Sequence, residues 1–275
     1  MELSEYKISV SICVYWKDNP KWFDTAVQSI LNQTVPPAEV VLVVDGPVGE
    51  ELDAVIRKYE KMEIFRVIRL KENQGTGIAR NYALQACTHE MLAVMDADDI
   101  CLPDRFEKQL KYFASDSQLD AVGAYISEFV DTPDCVVAQR VVPITDQEIK
   151  QFMKRRNPVN HVTAMCRKAS VEAAGGYQDW HYHEDYYLWI RMALSGMRFA
   201  NIPETLVNVR VGRDMYNRRG GMKCFRNGAR LMKYMYDQKF ISLGRFLFNV
   251  CERFAVQVLF PNELRGWIYR VFARK

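Results

Sequence analysis

The first hundred residues alternate between continuous apolar runs and segments with helical periodicity. Apolar runs of this kind are typical of strands covered by helices on both faces. They predict strands over residues 7–15, 39–45, 64–70 and 91–95, separated by helices over 22–31, 50–61 and 75–86. The third strand alternates apolar and polar residues, so it is predicted to lie at an edge. This β-α-β-α order predicts an α/β fold with a mostly parallel sheet.

The fourth apolar run, residues 91–95, leads directly into three carboxylates: Asp96, Asp98 and Asp99. A strand gives Asp96 and Asp98 the same facing, and ligands of open α/β sheets bind outside the carboxyl ends of the strands. Hard oxygen ligands suit Mn²⁺ or Mg²⁺ held together with substrate phosphates. Helix capping by Asp99 or Asp104 is an alternative that the sequence leaves open.

The glycine pattern argues against the common phosphate-binding loops. The loop after the first strand contains no glycine, whereas a dinucleotide fingerprint needs Gly-x-Gly-x-x-Gly there. The pair Gly75 and Gly77 follows the third strand and lacks the last glycine, and no Walker A loop is present. Substrate phosphates would then be neutralised by a metal and by side chains.

The second half predicts further elements. Residues 119–130 and 136–142 read as a β-hairpin, and Thr145 with Glu148 forms a capping-box signature for a helix running to about residue 155. Residues 162–166 are predicted to be extended, 170–174 to form a short helix, and a longer helix to start near Glu184.

Charge and cysteine usage limit the location and the partners. The seven cysteines are scattered without a Cys-x-x-Cys pair, which argues against a zinc site and for reduced thiols in the cytoplasm. We expect neither a secretory signal nor a transmembrane helix. Residues 201–275 hold 15 Lys/Arg against 5 Asp/Glu, a balance of +10, whereas residues 1–200 have a balance of −7. A basic end on an acidic body indicates an anionic partner, either a membrane or a nucleic acid.

The C-terminal region, residues 211–275, is predicted to be a basic, amphipathic helical extension. Apolar residues recur at helical spacing near its end, with basic residues off that face: Leu264, Trp267, Ile268, Val271 and Phe272. Such a face suits a helix lying in the interface of an anionic membrane. Packing on the core and a dimer contact remain alternatives.

Taken together, the ordered motifs resemble a family 2 glycosyltransferase with the GT-A fold, over roughly residues 7–210. The motifs are Ser9–Tyr15, Val43–Gly46, Asn73–Asn81, Met95–Asp99, Gly175–Tyr177 and His183–Met192. The resemblance implies a Rossmann-like nucleotide-sugar-binding half over residues 1–100 and an acceptor half over 101–210.

The resemblance also implies roles for individual residues. In the donor half these are nucleoside contacts from Val14 and Tyr15, a uracil contact from Asp45, a uracil or diphosphate contact from Arg80, a ribose or metal contact from Asp96, and metal coordination by Asp98. In the acceptor half, Asp185 would be the general base, and Glu184, His161 and Trp189 would lie on the acceptor side. Dipole-favoured capping remains an alternative for Glu184 and Asp185.

The expected function is an inverting, metal-dependent transfer of one sugar from a nucleotide donor, UDP-linked, to a saccharide hydroxyl. The resemblance implies a polyprenyl-diphosphate-linked acceptor, surface polysaccharide synthesis, and a protein held peripherally on the inner face of the cell membrane. No nucleic acid partner is expected. Two alternatives stay open: a metal-dependent nucleotidyltransferase, and a non-enzymatic nucleic-acid-binding protein that uses the basic tail.

Overall fold

The computed structural model describes residues 3–180, 182–212 and 220–260. Its strands are β1 (Ile8–Val14), β2 (Glu39–Val44), β3 (Phe65–Arg69), β4 (Met91–Asp96), β5 (Ile100–Cys101), β6 (Leu119–Phe129), β7 (Val136–Arg140), β8 (Met165–Arg167) and β9 (Arg198–Arg210). Its α-helices are α1 (Pro20–Leu31), α2 (Glu50–Glu60), α3 (Thr76–Ala86), α4 (Arg105–Ser115), α5 (Asp146–Met153), α6 (Lys168–Ala173), α7 (Glu184–Leu194), α8 (Met222–Asp237) and α9 (Leu243–Phe254).

The strands form one sheet in the order β3-β2-β1-β4-β8-β6-β9-β5, with β7 paired to β6. The long ladders, among β1 to β4 and between β6 and β9, are parallel. The antiparallel ladders that involve β5, β7 and β8 are short. The prediction of a mostly parallel sheet is therefore confirmed, as is the edge position of β3.

Helices cover both faces of the sheet, also as predicted. Because side chains alternate along a strand, Leu42 of β2 belongs to one hydrophobic core and Val43 to the other. Helices α1, α2 and α4 pack on the first core, which includes Phe23, Ile56 and Phe106. Helices α3, α5, α6, α7 and α8 contribute to the second core.

Local signals determine where several helices start. The Asn19 side chain accepts hydrogen bonds from the backbone N–H groups of Lys21 (2.9 Å) and Trp22 (3.3 Å), and Pro20 follows, so α1 starts two residues earlier than predicted. The predicted capping box of Thr145 and Glu148 is present at the start of α5. That helix ends at Met153, short of the predicted residue 155.

The sequence patterns missed the longest strand among the described residues. β9 has 13 residues, and its pairing with β6 shifts register near Tyr125, so buried and exposed positions do not alternate strictly. An irregular ladder of this kind has no clear period of two. The predicted extended piece over 162–166 is also wrong in part, since His161–Thr163 forms a 3₁₀ turn before β8 begins.

The C-terminal region contributes α8, α9 and a π-helical turn at Ala255–Leu259. The predicted helix around residues 264–272 lies outside the described residues. Within the described ranges, no helix is both long enough and apolar enough to cross a bilayer. The division of the chain into domains at residue 210 remains a prediction.

Gly46 brings together two loops at the carboxyl edge of the sheet. Its φ is +88°, and a Cβ atom at this position would lie 2.6 Å from the backbone nitrogen of Asn73. Only glycine allows this approach of the turn after β2 to the loop before α3. The contact keeps Asp45, the preceding residue, next to the start of α3.

We therefore expect Gly46→Ala to destabilise the fold more than Gly196→Ala. Gly196 also has a positive φ (+80°), but it has open space around its Cα. The conformational cost of about 1–2 kcal/mol is common to both variants, whereas the clash adds roughly 1–3 kcal/mol only at Gly46. The free energies of unfolding, measured in urea, check the difference, and equal losses would contradict it.

Candidate active site

The ends of three adjacent strands bring the predicted donor residues to one edge of the sheet. In the register of the ladders, Cys13 lies opposite both Val43 of β2 and Asp96 of β4. Val14 is buried at the end of β1, and its carbonyl accepts a hydrogen bond from the Asp45 N–H group (2.7 Å). The predicted contacts of Val14 and Tyr15 with a nucleoside remain predictions.

Asp45 orders the loop that leads into α3. Its Oδ1 atom accepts a hydrogen bond from the Gln74 N–H group (2.7 Å), and Oδ2 accepts one from the Gly75 N–H group (3.0 Å). The Asn73 side chain donates to the Asp45 carbonyl (3.1 Å). Asp45 thus shapes the local backbone, while its predicted uracil contact remains a prediction.

Arg80 of α3 connects the two halves of the site. Its Nη2 lies 2.8 Å from Asp96 Oδ1, and its Nη1 lies 3.1 Å from Glu184 Oε1. Burial by itself lowers the pKa of Arg80, but the carboxylates of Asp96 and Glu184 outweigh it and raise that pKa above its ordinary value. The guanidinium therefore stays charged and holds the end of β4 next to the start of α7.

His161 lies beside this ion pair as a neutral side chain. Burial and the nearby Arg80 and Arg105 cations hold the pKa of His161 well below its usual range. Its Nε2 atom lies 2.9 Å from the Tyr177 hydroxyl and 3.4 Å from Arg80 Nη1. Since a guanidinium only donates, Nε2 must be the acceptor and Nδ1 carries the proton. Among the described residues Nδ1 has no hydrogen-bond partner.

Trp189 does not reach the surface of the site. Its side chain is fully buried on α7, with its ring centre 5.9 Å from that of His161 and 6.4 Å from that of Phe199. The predicted contact with an acceptor would need an accessible surface that Trp189 lacks here. In this structure Trp189 instead packs α7 against the second core.

The sequence reasoning missed one carboxylate close to the Asp96–Asp98 pair. Asp18, in the loop after β1, accepts a hydrogen bond from the Tyr15 N–H group (2.9 Å). Burial, followed by the charges of Asp98 and Asp96, raises the pKa of Asp18 to about 7. A carboxylate in the first glycine-free loop was the available signal, but spacing along the chain does not reveal its proximity to Asp98.

Asp99 supports the turn and contacts β9. Its Oδ1 atom accepts a hydrogen bond from the Arg210 N–H group (2.9 Å), and the Asp98 carbonyl accepts one from Arg210 Nε (3.3 Å). Burial, together with the charges of Asp98 and Asp96, raises the pKa of Asp99 well above its usual range. The end of β9 is thereby fixed to the carboxylate-rich turn.

The donor set around Asp98 fits a divalent cation shared with a substrate. The repulsion that raises the pKa values of Asp18 and Asp99 is relieved by a positive charge. In the described part of the chain, no group of three or more His, Cys, Asp or Glu residues forms a closed metal site. Mg²⁺ commonly uses only one or two carboxylates plus substrate phosphates, so Asp98 with Asp96 is sufficient.

The first turn of α7 carries the two acceptor-side carboxylates. Asp185 Oδ2 accepts a hydrogen bond from Asn157 Nδ2 (2.7 Å), and Oδ1 accepts one from the Tyr186 N–H group (2.6 Å). Burial raises the pKa of Asp185 above its ordinary value although Arg80 opposes the rise. Burial likewise raises the pKa of Glu184 to about 7. Asn157 was missed by the sequence reasoning because it lies 28 residues from Asp185.

A parallel sheet with carboxylates at its strand ends, facing two more on α7, defines a transferase of the GT-A type. The sequence model of Glycosyl transferase family 2 matches residues 9–173, and the chain belongs to this family. It is 40% identical to the amylovoran biosynthesis glycosyltransferase AmsE of Erwinia amylovora over 94% of this chain and 99% of the relative. It is 32% identical to the UDP-Gal:alpha-D-GlcNAc-diphosphoundecaprenol beta-1,3-galactosyltransferase of Escherichia coli, over 98% and 97% of the two chains.

Solved structures share the fold. S. aureus TarS 1-349 in complex with UDP-GlcNAc matches with a TM-score of 0.69 at 16% identity, over 95% of this chain and 78% of that one. The mannosyltransferase PcManGT of Pyrobaculum calidifontis in complex with GDP-Man and Mn²⁺ matches with a TM-score of 0.63 at 17% identity, over 94% and 72%. The predicted GT-A fold and family are therefore confirmed, and the chain is a glycosyltransferase.

The raised pKa of Asp18 predicts a pH-dependent effect of Asp18→Asn. The folded state holds the proton more tightly than the unfolded chain, so ionisation destabilises the fold progressively from about pH 4 to about pH 7. The variant should therefore have a higher Tm than the wild type at pH 8 without metal, and the difference should vanish near pH 4.

Asp24→Asn provides a control of opposite sign. The hydrogen bond from Lys58 lowers the pKa of Asp24, so its carboxylate stabilises the fold at neutral pH, and that contribution is lost in acid. This variant should have a lower Tm at pH 8. A Tm difference for Asp18→Asn that is the same at both pH values would contradict the assignment.

Proposed function

We propose that the protein transfers one sugar, with inversion, from a UDP-linked donor to a hydroxyl of a lipid-linked saccharide. The observation that carries the proposal is the Arg80 bridge between Asp96 and Glu184. Donor-side and acceptor-side carboxylates thereby share one crevice, as direct transfer between two bound substrates requires.

The donor binds along the carboxyl ends of β1, β2 and β4. Val14 and Tyr15 contact the nucleoside, Asp45 accepts a hydrogen bond from the uracil ring, and Asp96 contacts the ribose or the metal. The UDP-GlcNAc complex of S. aureus TarS and the UDP-Gal specificity in the name of the E. coli relative support a UDP-linked donor.

Asp98, with Asp96, holds Mn²⁺ or Mg²⁺ on the diphosphate, and such a cation offsets the charge of the leaving group. The GDP-Man and Mn²⁺ complex of the mannosyltransferase PcManGT supports a metal in this fold. Arg80 contributes a second, fixed positive charge near the same end of β4.

Asp185 acts as the general base. Its carboxylate takes the proton from the acceptor hydroxyl as that oxygen forms a bond to the anomeric carbon and the bond from this carbon to the diphosphate oxygen breaks. Attack from the side opposite the diphosphate inverts the anomeric centre. Asn157 and the Tyr186 N–H group orient the carboxylate. Glu184 and His161 line the acceptor side, where Glu184 is held by Arg80.

The acceptor is a polyprenyl-diphosphate-linked saccharide on the inner face of the cell membrane. The diphosphoundecaprenol in the name of the E. coli relative and the amylovoran biosynthesis assigned to AmsE support this acceptor and a role in surface polysaccharide synthesis. The basic C-terminal region associates peripherally with the anionic lipid surface. A nucleotidyltransferase and a nucleic-acid-binding protein lose their support, because the chain is a family 2 glycosyltransferase.

Asp98→Ala should abolish transfer and leave the fold intact. Loss of the metal carboxylate removes charge stabilisation of the leaving diphosphate, which we expect to cost roughly 10²–10³-fold or more in kcat. Release of UDP from UDP-sugars with Mn²⁺ gives the readout, and circular dichroism gives the control for folding. Full activity of the wild type in excess chelator would exclude the metal role.

Asp185→Asn should retain donor binding and lose turnover. An amide does not take a proton from the acceptor, so kcat should fall by roughly 10²–10⁴-fold, while the Kd for UDP-sugar stays within about twofold. The matched control is Asp146→Asn, at the start of α5. An unchanged kcat for Asp185→Asn would remove Asp185 as the base.

Deletion of residues 262–275 should shift the protein from the membrane fraction to the soluble fraction after cell lysis. Removal of the apolar and basic side chains of this segment takes away both contributions to interfacial binding. An unchanged distribution would show that this segment does not anchor the protein.

A further inference from the structure

A surface cleft of about 910 Å³ lies between β6, the segment after β7, α5 and the start of α9. Its volume is in the range of small-molecule sites. None of the roles proposed above uses it. Basic, aromatic and aliphatic side chains line it, among them Tyr125, Ile144, Phe152, Arg155, Arg156 and Arg245.

The arginines of this cleft are supported for binding an anion. The guanidinium of Arg156 lies 5.7 Å from the centre of the Phe152 ring, and that of Arg155 lies 5.5 Å from the centre of the Phe248 ring. Arg155 also pairs with Glu252, with 3.0 Å between Nε and Oε2. A guanidinium fork matches the geometry of phosphate oxygens, and aromatic support reduces the entropy lost when a ligand binds.

The remaining carboxylate that lines the cleft is turned away to another partner. Glu148 Oε2 accepts hydrogen bonds from the backbone N–H group (3.2 Å) and the hydroxyl (2.9 Å) of Thr145, as part of the capping box of α5. With Glu252 on Arg155 and Glu148 in the capping box, Arg156 and Arg245 are the cations best suited to a phosphate.

An apolar helix face adjoins the cleft. Leu243, Leu247 and Phe248 of α9 are each about half exposed, at 52%, 52% and 51%, and Phe254 continues the same face. The opposite side of α9 is buried at Asn249, whose Nδ2 donates to the Lys154 carbonyl (2.8 Å). Phe248 belongs to the apolar face and also contacts Arg155, so the cationic cleft and the apolar face meet there.

The cleft is also next to the proposed base. Asn157, the residue after Arg156, donates the hydrogen bond to Asp185. Burial raises the pKa of Tyr186, and the Arg253 and Arg156 cations are close enough to oppose that rise. A ligand bound at Arg156 is therefore one residue away from the group that holds the Asp185 carboxylate.

We propose that this cleft binds the diphosphate of a polyprenyl-diphosphate-linked acceptor and that the exposed face of α9 takes the first isoprene units. The inference rests on the proposed function for the sugar transfer, but the binding itself is independent of it. A diphosphate joined to an apolar chain is the chemistry that matches arginines beside an apolar helix face. The saccharide on the other side of the diphosphate then extends toward Asp185.

Farnesyl diphosphate titrated into the full-length protein in chelator tests the assignment, since chelator suppresses metal-dependent binding at Asp98. Arg156→Ala combined with Arg245→Ala should weaken the Kd at least about tenfold, the loss expected for one charge-assisted hydrogen bond. Arg57→Ala, at a 71% exposed arginine of α2, is the charge-matched control and should bind like the wild type. Arg245→Ala alone serves if the double variant fails to fold.

A second arm tests the apolar part. Leu247→Asp should weaken farnesyl diphosphate by a similar factor and leave inorganic pyrophosphate unchanged, because only the isoprene chain contacts α9. Wild-type binding by the arginine variants, or an equal loss in Arg57→Ala, would overturn the cleft. Equal affinity for pyrophosphate and farnesyl diphosphate would overturn the lipid contact.

Asp185→Asn separates the two levels of the argument. It should bind farnesyl diphosphate like the wild type although it loses transfer. Arginine-dependent binding by a protein that transfers no sugar to any lipid-linked acceptor would refute the proposed function and leave this inference standing.

Discussion

The site depends on one buried guanidinium that serves two carboxylates. Arg80 bonds Asp96 at the end of β4 and Glu184 at the start of α7, a residue 104 positions away in the chain. Removal of one partner from a buried ion pair is costly, because it leaves an uncompensated charge. The same cation also keeps His161 neutral. The relative position of the donor and acceptor carboxylates therefore follows from a single side chain on α3.

A second polar network lies beneath the aspartates. The fully buried Arg105 donates to the carbonyls of Val94 (2.9 Å) and Ala164 (3.3 Å), so it ties the end of β4 to the segment before β8. Gln109, one turn further along α4, donates to the carbonyls of Val122 (2.8 Å) and Thr163 (2.7 Å). These bonds satisfy carbonyls that the short, irregular ladders of β8 leave without strand partners, and they make the support of Asp96 and Asp98 rigid.

Close backbone contacts complete the crevice. A Cβ atom on Gly77, in the first turn of α3, would lie 2.7 Å from the Gln178 carbonyl oxygen. The segment before α7 can therefore pack directly on α3, and this brings Glu184 within reach of Arg80. The bond from Asn157 to Asp185 adds a third element, because Asn157 also accepts a hydrogen bond from Arg140 of β7 (2.8 Å) through its carbonyl.

Patterns local in the chain determined the alternation of strands and helices, the edge position of β3, the capping box at Thr145, and the arrival of Asp45, Asp96 and Asp98 at strand ends. These follow from residues a few positions apart, where apolar periodicity and turn chemistry act. Only the tertiary structure decided that β9 pairs with β6, that Asp18 lies by Asp98, that Asn157 holds Asp185, and that Trp189 is buried. These depend on contacts between distant segments, whose free energies come from shared burial and charge and leave no periodic trace in the sequence.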